Sequence, residues 1–179
     1  MKTVGTRWAT PADLPALAAL IAQAIETLQA GFLTPEQIVA SRAVMGLDTQ
    51  LVADGTYLVA ERDGVIVGCG GWSRRATLYG GDHSAGLRDP QLLDPARDPA
   101  KIRAMYTHPR CARQGIGRVI LSGCERAAHA EGFSMVELMA TLSGQPLYVA
   151  SGYEPVEMVA ADVNGIAVPL VRMRKSLRL

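Results

Sequence analysis

A glycine-containing turn carries the clearest chemical signal in the sequence. The run Arg113-Gln114-Gly115-Ile116-Gly117-Arg118 follows a predicted strand and opens a predicted helix. Such a turn points successive backbone N–H groups into one concavity, where the helix dipole adds about half a positive charge. The two glycines remove the Cβ atoms that would hold phosphate oxygens away, and the two arginines add charge at the rim. The pattern predicts a pyrophosphate-binding turn, with a plain strand-to-helix connection as the alternative.

Several other chemistries do not fit the sequence. No Gly-Lys-Ser/Thr follows the turn, so it is not a nucleotide P-loop, and the third glycine of a dinucleotide fingerprint is absent. No group of His, Cys and Asp has metal-ligand spacing, and no Gly-x-Ser-x-Gly elbow occurs. We therefore expect neither a metal site nor a nucleophilic serine.

Composition narrows the class of protein. The chain has 179 residues, is 49% hydrophobic and 20% charged, and has a formal net charge of +1. It is long enough for one domain with a substantial core, and we expect that single domain to span residues 1–179. The near-zero charge and the lack of a long basic run argue against nucleic-acid binding.

Cellular location follows from two further features. The apolar stretch at 14–28 is interrupted by Pro15, Gln23 and Glu26, so it indicates an amphipathic helix and not a signal peptide or a membrane span. The widely spaced cysteines at 69, 111 and 124 indicate reduced thiols that serve in packing. We expect a cytoplasmic protein with no membrane partner.

Local signals predict the elements that must position the turn. Thr10-Pro11 and Thr34-Pro35 are helix starts, and Asp63-Gly64 and Asn164-Gly165 are hairpin turns. The predicted strands are 3–9, 57–61, 65–72, 102–107, 134–141, 156–163 and 167–175, and the predicted helices are 10–31, 34–46, 117–131 and 146–150. The order predicts an α/β fold with a mixed sheet and a long insert at about 73–100 after the third strand.

Three segments together resemble the GNAT superfamily of acyl-CoA-dependent N-acyltransferases. The first runs from Met105-Tyr106-Thr107-His108-Pro109 through the glycine turn to Leu121. The second is Pro146-Leu147-Tyr148-Val149-Ala150-Ser151-Gly152-Tyr153, and the third is the helix entry Thr10-Pro11-Ala12-Asp13-Leu14. The element order matches over about residues 3–175. The chain departs from the family pattern at Ala112, where Arg or Gln is common, and this leaves the side-chain role of Arg113 open.

The resemblance implies a fold, a co-substrate and a mechanism. It implies a GNAT-like fold in which the fourth and fifth strands splay apart, with helices on both faces of the sheet. Acetyl-CoA would lie against Met105, Tyr106 and Thr107 and against the turn residues Arg113, Gln114, Gly115, Ile116, Gly117 and Arg118. An amine would attack the thioester directly while a backbone N–H near Met105 or Tyr106 stabilises the oxyanion.

The resemblance also implies which side chains take part in catalysis. Tyr148 matches the tyrosine that protonates the departing thiolate, with simple packing of its ring as the alternative. The general base is open: Asp82 and His83 lie in the insert on the side where the acceptor enters in the family, although an ordinary polar turn is the favoured explanation of both residues. Glu26 is a further candidate.

Other notable residues have structural explanations. Glu137 and Arg103 fall on neighbouring predicted strands, where we expect them to pair with each other. Trp72 either lines an acceptor pocket or packs in the core, and His108 is expected to end a strand.

The function predicted from the resemblance is acetyl transfer from acetyl-CoA to an amine of a small molecule or peptide. The alternative is a non-catalytic acyl-CoA sensor or partner subunit. The superfamily often forms dimers, so a homodimer is among the expected assemblies. The acceptor and the role of the insert stay open.

Overall fold

The computed structural model describes residues 3–178, which form a seven-stranded mixed sheet with helices on both faces. The strands are β1 (Gly5–Trp8), β2 (Tyr57–Arg62), β3 (Val65–Ser73), β4 (Ala100–Thr107), β5 (Met135–Thr141), β6 (Glu154–Val163) and β7 (Ile166–Ser176). The helices are α1 (Leu14–Leu28), α2 (Pro35–Ser41), α3 (Thr49–Ala53), α4 (Ile116–Ala130) and α5 (Gln145–Ala150). The order in the sheet is β1-β2-β3-β4-β5-β7-β6. This confirms the predicted α/β fold class.

Helix starts follow the predicted chemistry. Thr34 Oγ1 accepts a hydrogen bond from the backbone N–H of Gln37, which caps α2. A 3₁₀ turn at Pro11–Asp13 precedes α1, and the Asp13 carboxylate accepts from the Thr10 N–H. Both predicted starts are therefore confirmed.

The region between α2 and β2 differs from the prediction. Helix α2 ends at Ser41, well before Gly46, because tighter hydrogen bonds between residues three apart close its last turn. Helix α3 is only five residues long and was not predicted. Its preceding residue, Asp48, does not cap it, and the N–H of Thr49 donates instead to Asp82.

Two apolar layers sandwich the sheet. On one face α4 contributes Ile116, Ile120, Leu121 and Cys124, which pack against Ile102, Val136 and Leu138. On the other face α1 contributes Leu17, Leu20 and Ile21, which pack against Tyr57, Val59 and Cys69. The central strands are therefore held from both sides.

The middle of the sheet is split. β4 and β5 are the one parallel pair among the described strands, and they pair only from Ala100 to Ile102 on β4. The register of β3 against β4 shifts between Cys69 and Gly71, and Ala104 at this bulge has a φ of 53°. Beyond Ile102 β4 no longer pairs with β5, which confirms the expected splay.

The Tyr57 hydroxyl supports the bulge. It is fully buried and donates a hydrogen bond of 2.9 Å to the carbonyl of Ala104. Burial raises the pKa of this phenol well above its ordinary value, so it remains a donor. A positive φ is costly for alanine, and this bond helps to hold the residue there.

The insert between β3 and β4 folds back on itself. Thr77 and Asp89 exchange backbone and side-chain hydrogen bonds, and Arg75 pairs with Asp54 at 2.7 Å. Its one short helix is a 3₁₀ turn at Ala85–Leu87. No helix among residues 3–178 is long and apolar enough to cross a membrane.

We predict that Tyr57→Phe lowers the free energy of unfolding by about 1–3 kcal/mol, because the Ala104 carbonyl loses a buried donor. Urea unfolding followed by circular dichroism measures this. Tyr79→Phe is the matched control, since the Tyr79 hydroxyl makes no hydrogen bond to any described residue. Equal stability of the two variants would contradict the role given to Tyr57.

Candidate active site

One cleft of about 650 Å³ passes through the gap between β4 and β5. One end lies on the α4 and α5 face and is lined by Arg113, Gly115, Ile116, Gly117, Arg118, Gly144, Leu147 and Tyr148. The other end lies on the α1 face and is lined by Ala24, Ile25, Leu28, Gln29, Phe32, Leu78, Tyr79, Met139 and Leu170. The split in the sheet therefore joins two compartments, one on each face.

The predicted phosphate turn lies at the first end. Gly115 has a φ of 83° and precedes the first residue of α4, and Arg113 also has a positive φ of 63°. Within the described chain, the backbone N–H groups of residues 113–118 donate no hydrogen bond to the protein. They form a row of free donors at the positive end of a 15-residue helix, which is the arrangement that binds anions.

The second glycine of the turn has a packing reason as well. A Cβ on Gly117 would lie 2.8 Å from Leu147 Cδ2 of α5, whereas a Cβ on Gly115 would meet open space. Gly117 therefore permits close approach of α5, and Gly115 supplies the left-handed backbone. Both roles leave the row of N–H groups uncovered.

The side chains of the turn differ in their positions. Arg113 and Arg118 line the cleft, and neither forms an ion pair with a described residue. Gln114 does not line the cleft; its amide accepts from Arg62 at 2.9 Å and donates to the Arg110 carbonyl at 3.1 Å. Two free guanidinium groups thus flank the row of backbone donors.

The edge of β4 that does not pair with β5 leads into the turn. Met105, Tyr106 and Thr107 all line the cleft. The N–H of His108 donates to Val67 on β3, and Tyr106 pairs with Cys69, so alternation along β4 turns the backbone groups of Met105 and Thr107 towards the gap. The Tyr106 hydroxyl accepts from the N–H of Gly46 at 3.0 Å and so fixes the loop that precedes α3.

Tyr148 lines the end of the cleft on the α4 and α5 face. Tyr148 is only 7% exposed, and its ring packs edge-on against that of Tyr153, with 5.7 Å between the ring centroids. Its hydroxyl makes no hydrogen bond to any residue within 3–178. Burial raises the pKa of this phenol above its ordinary value, so the hydroxyl carries a proton at neutral pH.

The predicted bases lie away from the cleft. Asp82 and His83 are exposed and do not line it. The Asp82 carboxylate caps α3 through Thr49, and the His83 ring contacts the carbonyl of Arg42. Glu26 is also exposed and outside the lining. That any of them acts as the base stays a prediction without support from its position.

Gln29 is a cleft residue that the sequence did not reveal. Its Nε2 donates to the Ile25 carbonyl and to Ser41 Oγ, which itself donates to Ile38. The Ile25 carbonyl and the Ser41 oxygen both act as acceptors here, because the Ser41 proton is already donated to Ile38. The Gln29 NH₂ group therefore faces them and its Oε1 points away from them. That Oε1 receives no hydrogen bond from the described protein and lies on a residue that lines the cleft.

The expected pairing of Glu137 with Arg103 is wrong. Glu137 binds Lys101, Arg174 and Arg172, while Arg103 pairs with Asp48 at 2.7 Å. The cause is the splay, because Arg103 lies beyond the last residue of β4 that pairs with β5.

Trp72 and His108 have structural roles outside the cleft. Trp72 packs edge-on against Phe133 in the core and does not line the cleft. His108 follows β4 and accepts a hydrogen bond from the N–H of Arg110.

Known structures share this architecture. A GCN5-related N-acetyltransferase from Rhodopseudomonas palustris is 23% identical over 98% of this chain and 97% of that chain, with a TM-score of 0.72. The PaiA N-acetyltransferase from Thermoplasma acidophilum, solved with coenzyme A, is 15% identical over 97% and 99%, with a TM-score of 0.62. The protein YncA from Salmonella typhimurium, solved with acetyl-CoA, is 18% identical over 98% and 94%, with a TM-score of 0.61.

The sequence comparisons add a family. No curated protein matches the chain significantly. The family described as Acetyltransferase (GNAT) domain matches residues 53–155, which run from the end of α3 through the cleft-lining turn and Tyr148. The predicted resemblance is confirmed, and the chain belongs to the GNAT acetyltransferase family.

Proposed function

We propose that this protein transfers an acetyl group from acetyl-CoA to an amine. The observation that carries the proposal is the continuous cleft, which joins a row of free backbone donors to a second compartment through the gap beside Tyr148. The complexes of the Thermoplasma and Salmonella proteins with coenzyme A and acetyl-CoA support the choice of co-substrate.

The chain offers groups that fit such a co-substrate. The N–H groups of residues 113–118 would hold the pyrophosphate, with Arg113 and Arg118 beside it. The exposed backbone of Met105 and Thr107 would hydrogen-bond the pantetheine arm. When bound, acetyl-CoA supplies the acetyl group as an activated thioester.

The remaining chemistry belongs to the protein. The Met105 N–H faces the gap and would donate to a developing oxyanion. Tyr148 holds a proton that a departing thiolate can take, and Gln29 Oε1 offers an acceptor to the amine. Of the described side chains that line the cleft, none is Asp, Glu or His, so we propose that water removes the amine proton.

Calorimetric titration of acetyl-CoA tests the binding half of the proposal. Gly115→Glu and Gly117→Glu each place a carboxylate in the row of donors, and we expect at least about 10-fold weaker binding from charge repulsion. Gly86→Glu is the matched control, because Gly86 is exposed, outside the cleft, and its added Cβ would meet nothing.

The wild type and the Gly86→Glu variant should bind acetyl-CoA equally. Absence of binding to the folded wild type would overturn the proposed function. Equal binding by all the variants would show that the turn is only a connection between β4 and α4.

Tyr148→Phe tests the catalytic half. We expect kcat to fall about 10²-fold or more through loss of the general acid, with unchanged affinity for acetyl-CoA. Tyr153→Phe removes a neighbouring hydroxyl outside the cleft and should keep the wild-type kcat. Thiol release over a panel of amines measures both.

The pH dependence of the same assay is a second readout. Burial raises the pKa of Tyr148 above its ordinary value, which keeps the acid form through pH 9, so kcat of the wild type should not fall between pH 7 and 9 through loss of this proton. A non-catalytic sensor would bind acetyl-CoA and release no thiol with any amine, and Tyr148→Phe would then change nothing.

A further inference from the structure

Arg103 presents a buried positive charge that the fold leaves incompletely satisfied. The residue lines the cleft on β4, just before the bulge, and is 3% exposed. Its Nη1 lies 2.7 Å from Asp48 Oδ2, but the contact is not aligned as a hydrogen bond. Nε, Nη1 and Nη2 are all buried without a hydrogen-bond acceptor. Buried polar groups are nearly always bonded, so this one requires an explanation.

The charges around Arg103 do not cancel. Asp48 is fully buried and is shared with Arg88, whose two terminal nitrogens donate to it at 2.9 and 3.1 Å. The neighbouring Arg75 and Asp54 balance each other. Two guanidinium groups therefore share one carboxylate, and the cluster keeps one positive charge beside the cleft.

Burial lowers the pKa of Arg103 to about 10, against the opposing pull of Asp48. The guanidinium is still charged at neutral pH. A buried guanidinium that shares its carboxylate and makes no hydrogen bond is unfavourable unless a further anion completes its bonding.

The rest of the cleft lining also favours an anionic ligand. Its charged side chains, among the residues described, are Arg103, Arg113 and Arg118, and two of these belong to the phosphate end. The compartment on the α1 face is otherwise mostly apolar. A cationic chain such as a polyamine would find no carboxylate there to replace its water.

We propose that the acetyl acceptor is an amine that also carries a carboxylate and an apolar group, and that Arg103 binds the carboxylate. This rests on the proposed acetyl transfer and names its substrate class. The planar guanidinium suits a carboxylate because its N–H groups match the two oxygens. The apolar part of the acceptor packs against the compartment around Phe32, Leu78 and Tyr79.

Binding of acetylated products tests the proposal without requiring turnover. The 179-residue protein, saturated with CoA, is titrated with the N-acetyl derivatives of glycine, leucine and phenylalanine, with the corresponding amides, and with N-acetylspermidine. We expect at least one carboxylate to bind about 10-fold or more tightly than its own amide and than N-acetylspermidine, because the amide leaves the guanidinium without an anion.

The double variant Asp48→Asn, Arg103→Gln assigns the effect to Arg103. It removes one charge of each sign and retains Arg88, so the net charge of the cluster stays the same. The carboxylate preference should fall to about 1-fold, since no guanidinium remains at that place in the cleft. Asp54→Asn, Arg75→Gln removes a neighbouring pair outside the cleft and should keep the preference.

The outcomes separate this inference from the function. If CoA does not bind, the proposed function fails first. If CoA binds but no carboxylate exceeds its amide, or the double variant keeps the preference, Arg103 only forms a structural ion pair and the inference is overturned. If a double variant does not fold, the wild-type panel still decides whether the acceptor carries a carboxylate, and equal binding of each carboxylate and its amide overturns the inference.

Discussion

The divergence of β4 from β5 is the constraint on which the site depends. The strands share only the pairs from Ala100 to Ile102, although they are neighbours in the middle of the sheet. A complete ladder would bond every backbone group of β4 and close the gap. Pairing instead ends at Ile102, next to the bulge at Ala104, whose positive φ is held by the buried Tyr57 hydroxyl. The cleft is thus a gap that the packing on both faces keeps open.

The two strands that border the gap are stabilised by their outer neighbours in the sheet and not by each other. β5 is held by a full antiparallel register with β7, and β4 is held by β3. The α4 and α1 layers pack against opposite faces of these strands. The unpaired backbone of β4 and the free N–H groups of the turn are therefore available to a ligand without loss of the core. Polar groups left unbonded in this way are typical of functional sites.

The sequence predicted those parts of the molecule whose signals are local. Asp63-Gly64 and Asn164-Gly165 each have positive φ at both positions, which is the geometry that makes such pairs favourable in tight hairpins. Helix α3 escaped prediction because five residues carry too little periodicity and its cap comes from Asp82 in the insert. The Asp48–Arg103 pair and the orientation of Gln29 depend on contacts distant in the chain, and no spacing rule reveals them.

In the proposed reaction the amine must lose a proton, and the charge of the cleft affects the pKa of that amine. Positive groups disfavour a second cation nearby, so the three arginines of the lining lower the pKa of an amine that enters beside them. The apolar compartment acts in the same direction, because it cannot solvate an ammonium group. Both effects favour the neutral, nucleophilic form before any base acts. An acceptor carboxylate on Arg103 would compensate one of these charges and fix the molecule, while Arg113 and Arg118 face the pyrophosphate. Once these anions are bound, the apolar compartment is what still lowers the pKa of the amine, and in the proposed reaction water carries the proton away.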